Sequence, residues 1–177
     1  MLFFSVVAHK KKVMKKYKQV IILVNLLIVL GLFARSIIQK EAILSDGKLL
    51  LLELAPVDPR SLIQGDYMNL RYKIAANIDQ KNMAKKGFCV VKSDSSGIAE
   101  RVRIQTELLP LKTGEYLIKY HIGNRIIRIG AESYFFQEGD AEKYVKAKYG
   151  GLKVDDKGNS ILVGLWDEHR ARIGLEE

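Results

Sequence analysis

Carboxylates are the side chains of this sequence best suited to chemistry, and three of them stand beside turn-forming residues. Asp58 precedes a proline, Asp66 follows Gly65, and Glu138 precedes Gly139. Two carboxylates in one cleft can act as general acid and general base, as they do in many hydrolases. Because the sequence gives no distance between these groups, an exported hydrolase that uses carboxylates stays open as one interpretation.

No other catalytic or ligand-binding set accompanies these carboxylates. The sequence has no H-x-x-x-H pair, no G-x-S-x-G nucleophile elbow and no phosphate-binding loop. His121 falls in an alternating segment and His169 near the C-terminal end, and neither has a second ligand at metal-binding spacing. The sequence therefore predicts no metal and no cofactor, and it favours a binding or assembly role over an enzyme.

The segment 58–66 has the composition of a rigid corner. Asp58, Pro59 and Arg60 suit a type I turn, because the aspartate can accept backbone N–H bonds and proline presets the next φ. Gly65 permits a bend that other residues resist, and Asp66 can accept turn N–H groups or pair with Arg60. The corner is either a structural lead-in to a core strand or a site for a ligand or partner.

A strand with period-two alternation is predicted directly after this corner, over residues 67–74. Its predicted core face carries the apolar side chains Met68, Leu70, Tyr72 and Ile74. Tyr67 lies on the opposite face, near Arg71. There it either anchors a partner, as exposed aromatic side chains can, or packs on a second buried surface.

Most of the chain beyond residue 40 is also predicted to form strands. These segments are 48–54, 88–91, 101–105, 116–122, 126–129, 134–136, 152–154 and 161–165. Gly123-Asn124 and the segment 155–159 predict tight hairpin turns. Helices are predicted at 78–86 and, more clearly, at 139–149, where Gly150-Gly151 supplies the stop. The predicted fold class is mainly β (α+β), with one short amphipathic helix near the C-terminus.

Charge is distributed unevenly along the chain. The net charge of +9 comes mainly from residues 1–40, which hold eight cations and no acidic residue, leaving 21 cations against 20 anions in the remainder. A nucleic-acid-binding domain would carry its basic excess on the folded part, so we expect no nucleic-acid partner. The single cysteine, Cys89, lies in the apolar run 88–91 and is predicted to be a buried core residue.

An apolar segment without charge covers residues 20–34 and follows six lysines. It predicts a transmembrane helix at 19–39 that crosses the lipid bilayer once, after a basic cytoplasmic leader at 1–18. Lysines before the helix favour a cytoplasmic N-terminus. An extracytoplasmic domain at 40–167 and a tail at 168–177 would follow. A cleaved signal peptide is the alternative to an anchor, although Arg35 makes a poor cleavage site.

The residues Gly65, Asp66, Tyr67, Leu70 and Tyr72 complete the pattern G-D-Y-x-x-L-x-Y. With this pattern and a second block from Phe135 to Leu165, the chain resembles the GDYXXLXY family of bacterial membrane-anchored proteins. The resemblance implies an inner-membrane anchor with a periplasmic domain. It also suggests a multi-pass membrane protein as partner, because the family is similar in context to proteins found beside or fused to such proteins.

Together these expectations describe an accessory binding or assembly module anchored in the membrane. Its candidate partner-binding residues are Asp58, Pro59, Arg60, Gly65, Asp66, Tyr67, Leu70, Tyr72, Glu138 and Gly139. Besides the exported hydrolase, a passive structural protein of the bacterial envelope remains an alternative.

Overall fold

A computed structural model describes residues 2–55, 63–64, 67–76, 78, 83–124 and 126–174, with side chains described from residue 17 onward except at 63–64. By their internal contacts these residues form two compact units, Met1–Glu41 and Ala42–Glu177. The first is helical and the second is built mainly from antiparallel sheets. The predicted fold class is confirmed.

One long helix, α1, runs from Leu2 to Asp46 and contains the predicted span 19–39. Its part from Tyr17 to Asp46 is long and apolar enough to cross a membrane. Apart from Ile43, which is buried, the apolar side chains in this part are exposed, for example Leu32 at 64% and Phe33 at 66%. The helix ends before Gly47, whose N–H donates to the carbonyl of Ile43 at 3.0 Å.

The first sheet of the second unit has three strands, with β9 (Tyr149–Val154) between β1 (Lys48–Glu53) and β10 (Ser160–Trp166). Asp155 closes the predicted β9–β10 hairpin. Its Oδ1 accepts the N–H of Lys157 at 3.0 Å and that of Asn159 at 2.7 Å. The hairpin prediction is confirmed because these local turn contacts are encoded in the residues 155–159 themselves.

A second sheet has four strands in the spatial order β5, β4, β6, β7. Its strands are β4 (Lys86–Ser93), β5 (Ala99–Gln105), β6 (Glu115–Gly123) and β7 (Ile126–Arg128). Asn124 has φ of 50° after the last residue of β6, as a tight turn requires. The predicted hairpin at Gly123-Asn124 is thereby confirmed.

The third sheet is small and holds the motif strand. Here β3 (Tyr67–Asn69) lies between β2 (Ile63–Gln64) and β8 (Ser133–Phe135). The predicted strand 67–74 is shorter than expected, because Lys73–Ala75 forms a 3₁₀ turn. Tyr72 nevertheless makes a bridge with Leu54, so the chain stays extended up to the turn.

One hydrophobic core joins the three sheets. The predicted inward face of the motif strand is confirmed, since Met68, Leu70, Tyr72 and Ile74 are all buried. Other core side chains come from the first sheet and the four-stranded sheet, and include Leu50, Leu52, Leu152, Leu165, Cys89, Val91, Ile118 and Tyr120. The interpretation of Cys89 as a core residue is confirmed, and burial raises the pKa of its thiol to about 12.

The second helix, α2, covers only Ala141–Tyr144. The prediction of a helix over 139–149 is wrong in length, because the sheet takes the backbone groups that would continue it. Lys148 donates its N–H to Trp166 O at 2.7 Å and accepts the N–H of Leu54 at 2.9 Å. Tyr149 then begins β9, so Gly150 and Gly151 lie inside a strand rather than stopping a helix.

The other predicted helix, 78–86, is not present in its described part. Residues 78 and 83–85 are irregular and Lys86 begins β4, while residues 79–82 lie outside the described residues. The predicted C-terminal tail is described as far as Gly174. There Ile173 packs against the core and donates its N–H to Leu165 O at 2.8 Å.

Candidate functional site

The two sequence blocks that carry the motif meet in the small sheet. β3 pairs antiparallel with β8, so that Tyr67 lies opposite Phe135 and Met68 opposite Tyr134. Because side chains alternate between the two faces of a strand, Tyr67 and Phe135 share the outer face while Met68 and Tyr134 share the inner one. Strand pairing thus makes direct neighbours of Tyr67 and Phe135, which are 68 residues apart in the sequence.

The inner face of this sheet holds the motif in place. Tyr72, which is 2% exposed, donates its hydroxyl to the carbonyl of Ala131 at 2.7 Å. Leu70, which is 1% exposed, donates its N–H to the carbonyl of Glu132 at 2.6 Å. Burial raises the pKa of the Tyr72 hydroxyl, which keeps it a neutral donor. Leu70 and Tyr72 therefore fix the segment that leads into β8.

The outer face carries an aromatic pair, which we call the aromatic patch: Tyr67 and Phe135. Their ring centroids are 5.8 Å apart at an interplanar angle of 37°. Phe135 is 73% exposed and Tyr67 is half-buried. A large aromatic side chain held by strand pairing and left in solvent offers apolar contact area with little conformational entropy to lose.

Phe136, which directly follows β8, and Tyr134, on the inner face of β8, have a different role. Both rings contact Tyr144 of α2, with centroid distances of 5.3 Å and 5.1 Å respectively. Tyr144 is 7% exposed, so this cluster belongs to the core. The contrast between Phe135 and its two neighbours shows that exposure at 135 follows from strand alternation.

Charged residues next to Tyr72 are paired with one another. Glu53 at the end of β1 contacts Lys73 at 2.7 Å and Lys148 at 3.3 Å. The hydrogen bond from Lys73 is the largest of the effects that lower the pKa of Glu53. This carboxylate therefore ties β1 to the 3₁₀ turn and to the entry of β9.

The carboxylates considered for acid–base chemistry are only partly described. Glu138 is exposed, and Gly139 adopts φ of 90° in a turn in which Asp140 N–H donates to Gln137 O at 3.0 Å. Asp58 and Asp66 lie outside the described residues, as do Pro59, Arg60 and Gly65. Within the described ranges, no three His, Cys, Asp or Glu side chains come together as metal ligands.

The structure also contains a pocket that the sequence did not predict. Lys86, Lys119 and His121 line an open pocket on the outer face of the four-stranded sheet. These residues belong to two strands more than 30 positions apart, so only the register of β4 and β6 brings them together. Alternation along β6 predicts that Lys119 and His121 share one face of the strand. It does not predict which strand lies beside them.

Comparison with known proteins identifies the family. Residues 29–165 match the model of a family described as GDYXXLXY protein. Searches of curated proteins and of solved structures each returned no match. The matched range includes the motif strand β3 and its partner β8, and extends from α1 into β10. The chain therefore belongs to the GDYXXLXY family.

Proposed function

We propose that this protein is a membrane-anchored, extracytoplasmic binding or assembly module that acts as an accessory partner of a multi-pass membrane protein. In this proposal α1 holds the chain in the inner membrane with its N-terminus in the cytoplasm. The sheet unit then contacts the partner through the aromatic patch of Tyr67 and Phe135.

The exposure of Phe135 carries this proposal. At 73% exposed it is a large apolar side chain in solvent, although the fold buries the neighbouring Tyr134 and Phe136 more fully. Aromatic side chains at interface centres supply much of the binding energy, and Tyr67 supports the Phe135 ring at 5.8 Å between centroids. The motif thus has an inner side that fixes β8 and an outer side on which Tyr67 packs against the exposed Phe135.

The N-terminal helix supports a partner within the same membrane. A helix long enough to cross the bilayer would confine the domain to the membrane surface. Confinement raises the effective concentration of two anchored proteins, so a contact centred on two aromatic side chains can be sufficient. A multi-pass protein fits this role because it presents loops close to the same surface.

The test is crosslinking of the full-length chain in native membranes, followed by mass spectrometry of the captured proteins. Phe135→Ala removes the exposed ring. Leu109→Ala is the matched control, because Leu109 is 72% exposed but lies in the loop between β5 and β6. We expect a multi-pass protein to be recovered with the unmodified chain and with the control, and roughly tenfold less with Phe135→Ala, as for an interface hot spot.

Two results would contradict the proposal. One is recovery of the chain alone at the yield of an unrelated anchored protein, which would favour a passive role in the envelope. The other is equal recovery of the partner with Phe135→Ala and with Leu109→Ala, which would remove the aromatic patch from the interface.

A further inference from the structure

A pocket of about 510 Å³ opens on the outer face of the four-stranded sheet, near the turn that joins β9 to β10. Its lining includes Lys86 and Phe88 from β4, Lys119 and His121 from β6, and Asn159 from the turn. This volume lies within the range of about 300–1,000 Å³ that is typical of small-molecule sites. The surface is therefore large enough for a ligand of modest size.

Strand register concentrates basic groups at this pocket. Lys86 lies directly opposite His121, and Phe88 lies directly opposite Lys119. Residues paired in this way have Cβ atoms about 4.5–5.5 Å apart and point to the same face. The two lysines and the imidazole are all exposed, so their N–H groups are available to a ligand in the pocket.

Lys119 is held in position by a neutral partner. Its Nζ donates to Asn159 Oδ1 at 2.6 Å, and Asn159 Nδ2 in turn donates to Asp155 Oδ2 at 2.6 Å. An ammonium group has three N–H donors, so an amide oxygen leaves donors and the whole positive charge for another group. The turn at 155–159 therefore orients Lys119 without neutralising it.

The nearby carboxylates are turned toward backbone groups. Asp155 accepts N–H bonds within its own turn, from Lys157 and Asn159. Glu132 accepts the N–H of Ile129 at 2.5 Å and that of Gly130 at 3.1 Å. Among the described residues that line the pocket there is no carboxylate. The described part of the pocket thus combines positive charge with the apolar surfaces of Phe88 and Ile129.

We propose that this pocket binds a small organic anion, with a phosphate or carboxylate group against Lys86, Lys119 and His121 and an apolar part against Phe88. This site is separate from the aromatic patch, and the proposal does not rest on the proposed function. A phosphate group could come from a soluble metabolite or from a lipid headgroup, and the two sources present the same chemistry to the lysines.

The test measures binding to the full-length chain in nanodiscs of phosphatidylcholine, which adds no net lipid charge. Phenyl phosphate and benzoate are the anionic probes, and benzyl alcohol is the neutral probe. We expect at least one anion to bind at least tenfold more tightly than benzyl alcohol. Lys119→Met should weaken its binding at least tenfold, whereas Lys92→Met on the same strand as Lys86 should leave it unchanged.

Further variants separate loss of the site from loss of the fold. Lys119→Arg keeps the charge and should retain most of the binding, while Phe135→Ala should bind as the unmodified chain does. Thermal midpoints of all variants verify folding, and Lys86→Met serves if Lys119→Met is unstable. Displacement of the anion by nanodiscs containing phosphatidylglycerol would support a lipid source, and lack of displacement would support a soluble ligand.

Three results would overturn the proposal. These are equal binding of the anions and benzyl alcohol, equal effects of Lys119→Met and Lys92→Met, and absence of saturable binding by every probe. Each would show that the positive charge at this pocket does not select a ligand.

Discussion

The two tyrosines of the motif point to opposite faces and have different tasks. Tyr67 lies on the outer face of β3 against Phe135. Tyr72 is buried and donates its hydroxyl to Ala131 O. A single motif thus combines a buried hydrogen bond at Tyr72 with an aromatic contact from Tyr67 to the exposed Phe135. Substitutions at the two positions should therefore separate stability from the proposed partner binding.

At Tyr72, replacement by phenylalanine keeps the ring and removes only the hydroxyl. The carbonyl of Ala131, a residue that is 3% exposed, would lose its donor at 2.7 Å. We expect the free energy of unfolding to fall by about 1–3 kcal/mol, the usual cost of a buried unsatisfied group. Urea unfolding followed by Trp166 fluorescence measures this, since Trp166 is the single tryptophan of the sequence.

Tyr149→Phe is the matched control for Tyr72→Phe, because Tyr149 is half-buried in β9. It should change stability less than Tyr72→Phe does. If both variants unfold at the same urea concentration as the unmodified chain, the Tyr72–Ala131 hydrogen bond makes no net contribution to stability.

The packing of strand β9 requires glycine at positions 150 and 151. A Cβ atom at Gly150 would lie 2.8 Å from Tyr72 Cε1, and one at Gly151 would overlap the ring of Trp166, including Cε3 at 2.8 Å. The rings of Tyr72 and Trp166 occupy the space that side chains at these positions would fill. In β9, the central strand of the first sheet, these two aromatic rings therefore pack directly against the glycine backbone.

Gly151→Ala tests this packing. The added methyl group forces the Trp166 ring or the backbone to shift, and overpacking of this kind costs about 1–3 kcal/mol. We expect a lower thermal midpoint and a changed Trp166 emission. Gly123→Ala is the control, because a Cβ there has no atom within 4 Å and its φ is not positive. Equal midpoints for the two variants would argue against a close Gly151–Trp166 contact.

Glu115 stabilises the loop between β5 and β6 through hydrogen bonds. Its carboxylate accepts from Arg103 Nη1 at 2.7 Å and from Lys112 N–H at 2.9 Å. The Arg103 hydrogen bond is the largest of the effects that lower the pKa of Glu115 from its usual 4.5 to about 2. A lowered pKa in the folded state contributes stability above the unfolded value, and this contribution is lost as pH falls from 4.5 toward about 2.

Glu115→Gln should therefore reduce the loss of folding stability that accompanies a fall in pH. Urea midpoints measured from pH 7 down to pH 2 should show the variant less stable at neutral pH and closer to the unmodified chain at the acid end. Glu138→Gln, at an exposed carboxylate in the turn before α2, should keep the original pH dependence. A Glu115→Gln profile parallel to that of the unmodified chain would contradict the assignment.

For the whole molecule, the proposed function depends on the orientation that α1 would take in a membrane. Six lysines precede the apolar segment, and positive charge is retained on the cytoplasmic side. We expect alkaline phosphatase fused after residue 177 to be active, because this reporter works only outside the cytoplasm. Replacing the six lysines by glutamine should reduce that activity, while the same replacement at Lys143 and Lys146, in and just after α2, should not.

The sequence by itself determined the features that depend on neighbours in the chain. The uncharged apolar run 20–34 predicts a helix long enough to cross a bilayer, and α1 contains this run. Alternation placed Met68, Leu70 and Tyr72 on a buried face, and the turn residues at 123–124 and 155–159 specified two hairpins. Backbone geometry and side-chain period are local, so they can be read without knowing the pairing.

Only the tertiary structure decided which strands meet. The helix predicted by periodicity at 139–149 ends early because of the first sheet. Lys148 donates its N–H to Trp166 O, and Tyr149 pairs with Glu53. Tyr67 meets Phe135, and Lys86 meets His121, through registers between segments far apart in the chain. Such pairings are chosen by the burial and hydrogen bonding of the whole sheet. Both candidate sites are therefore products of strand register, which no local pattern specifies.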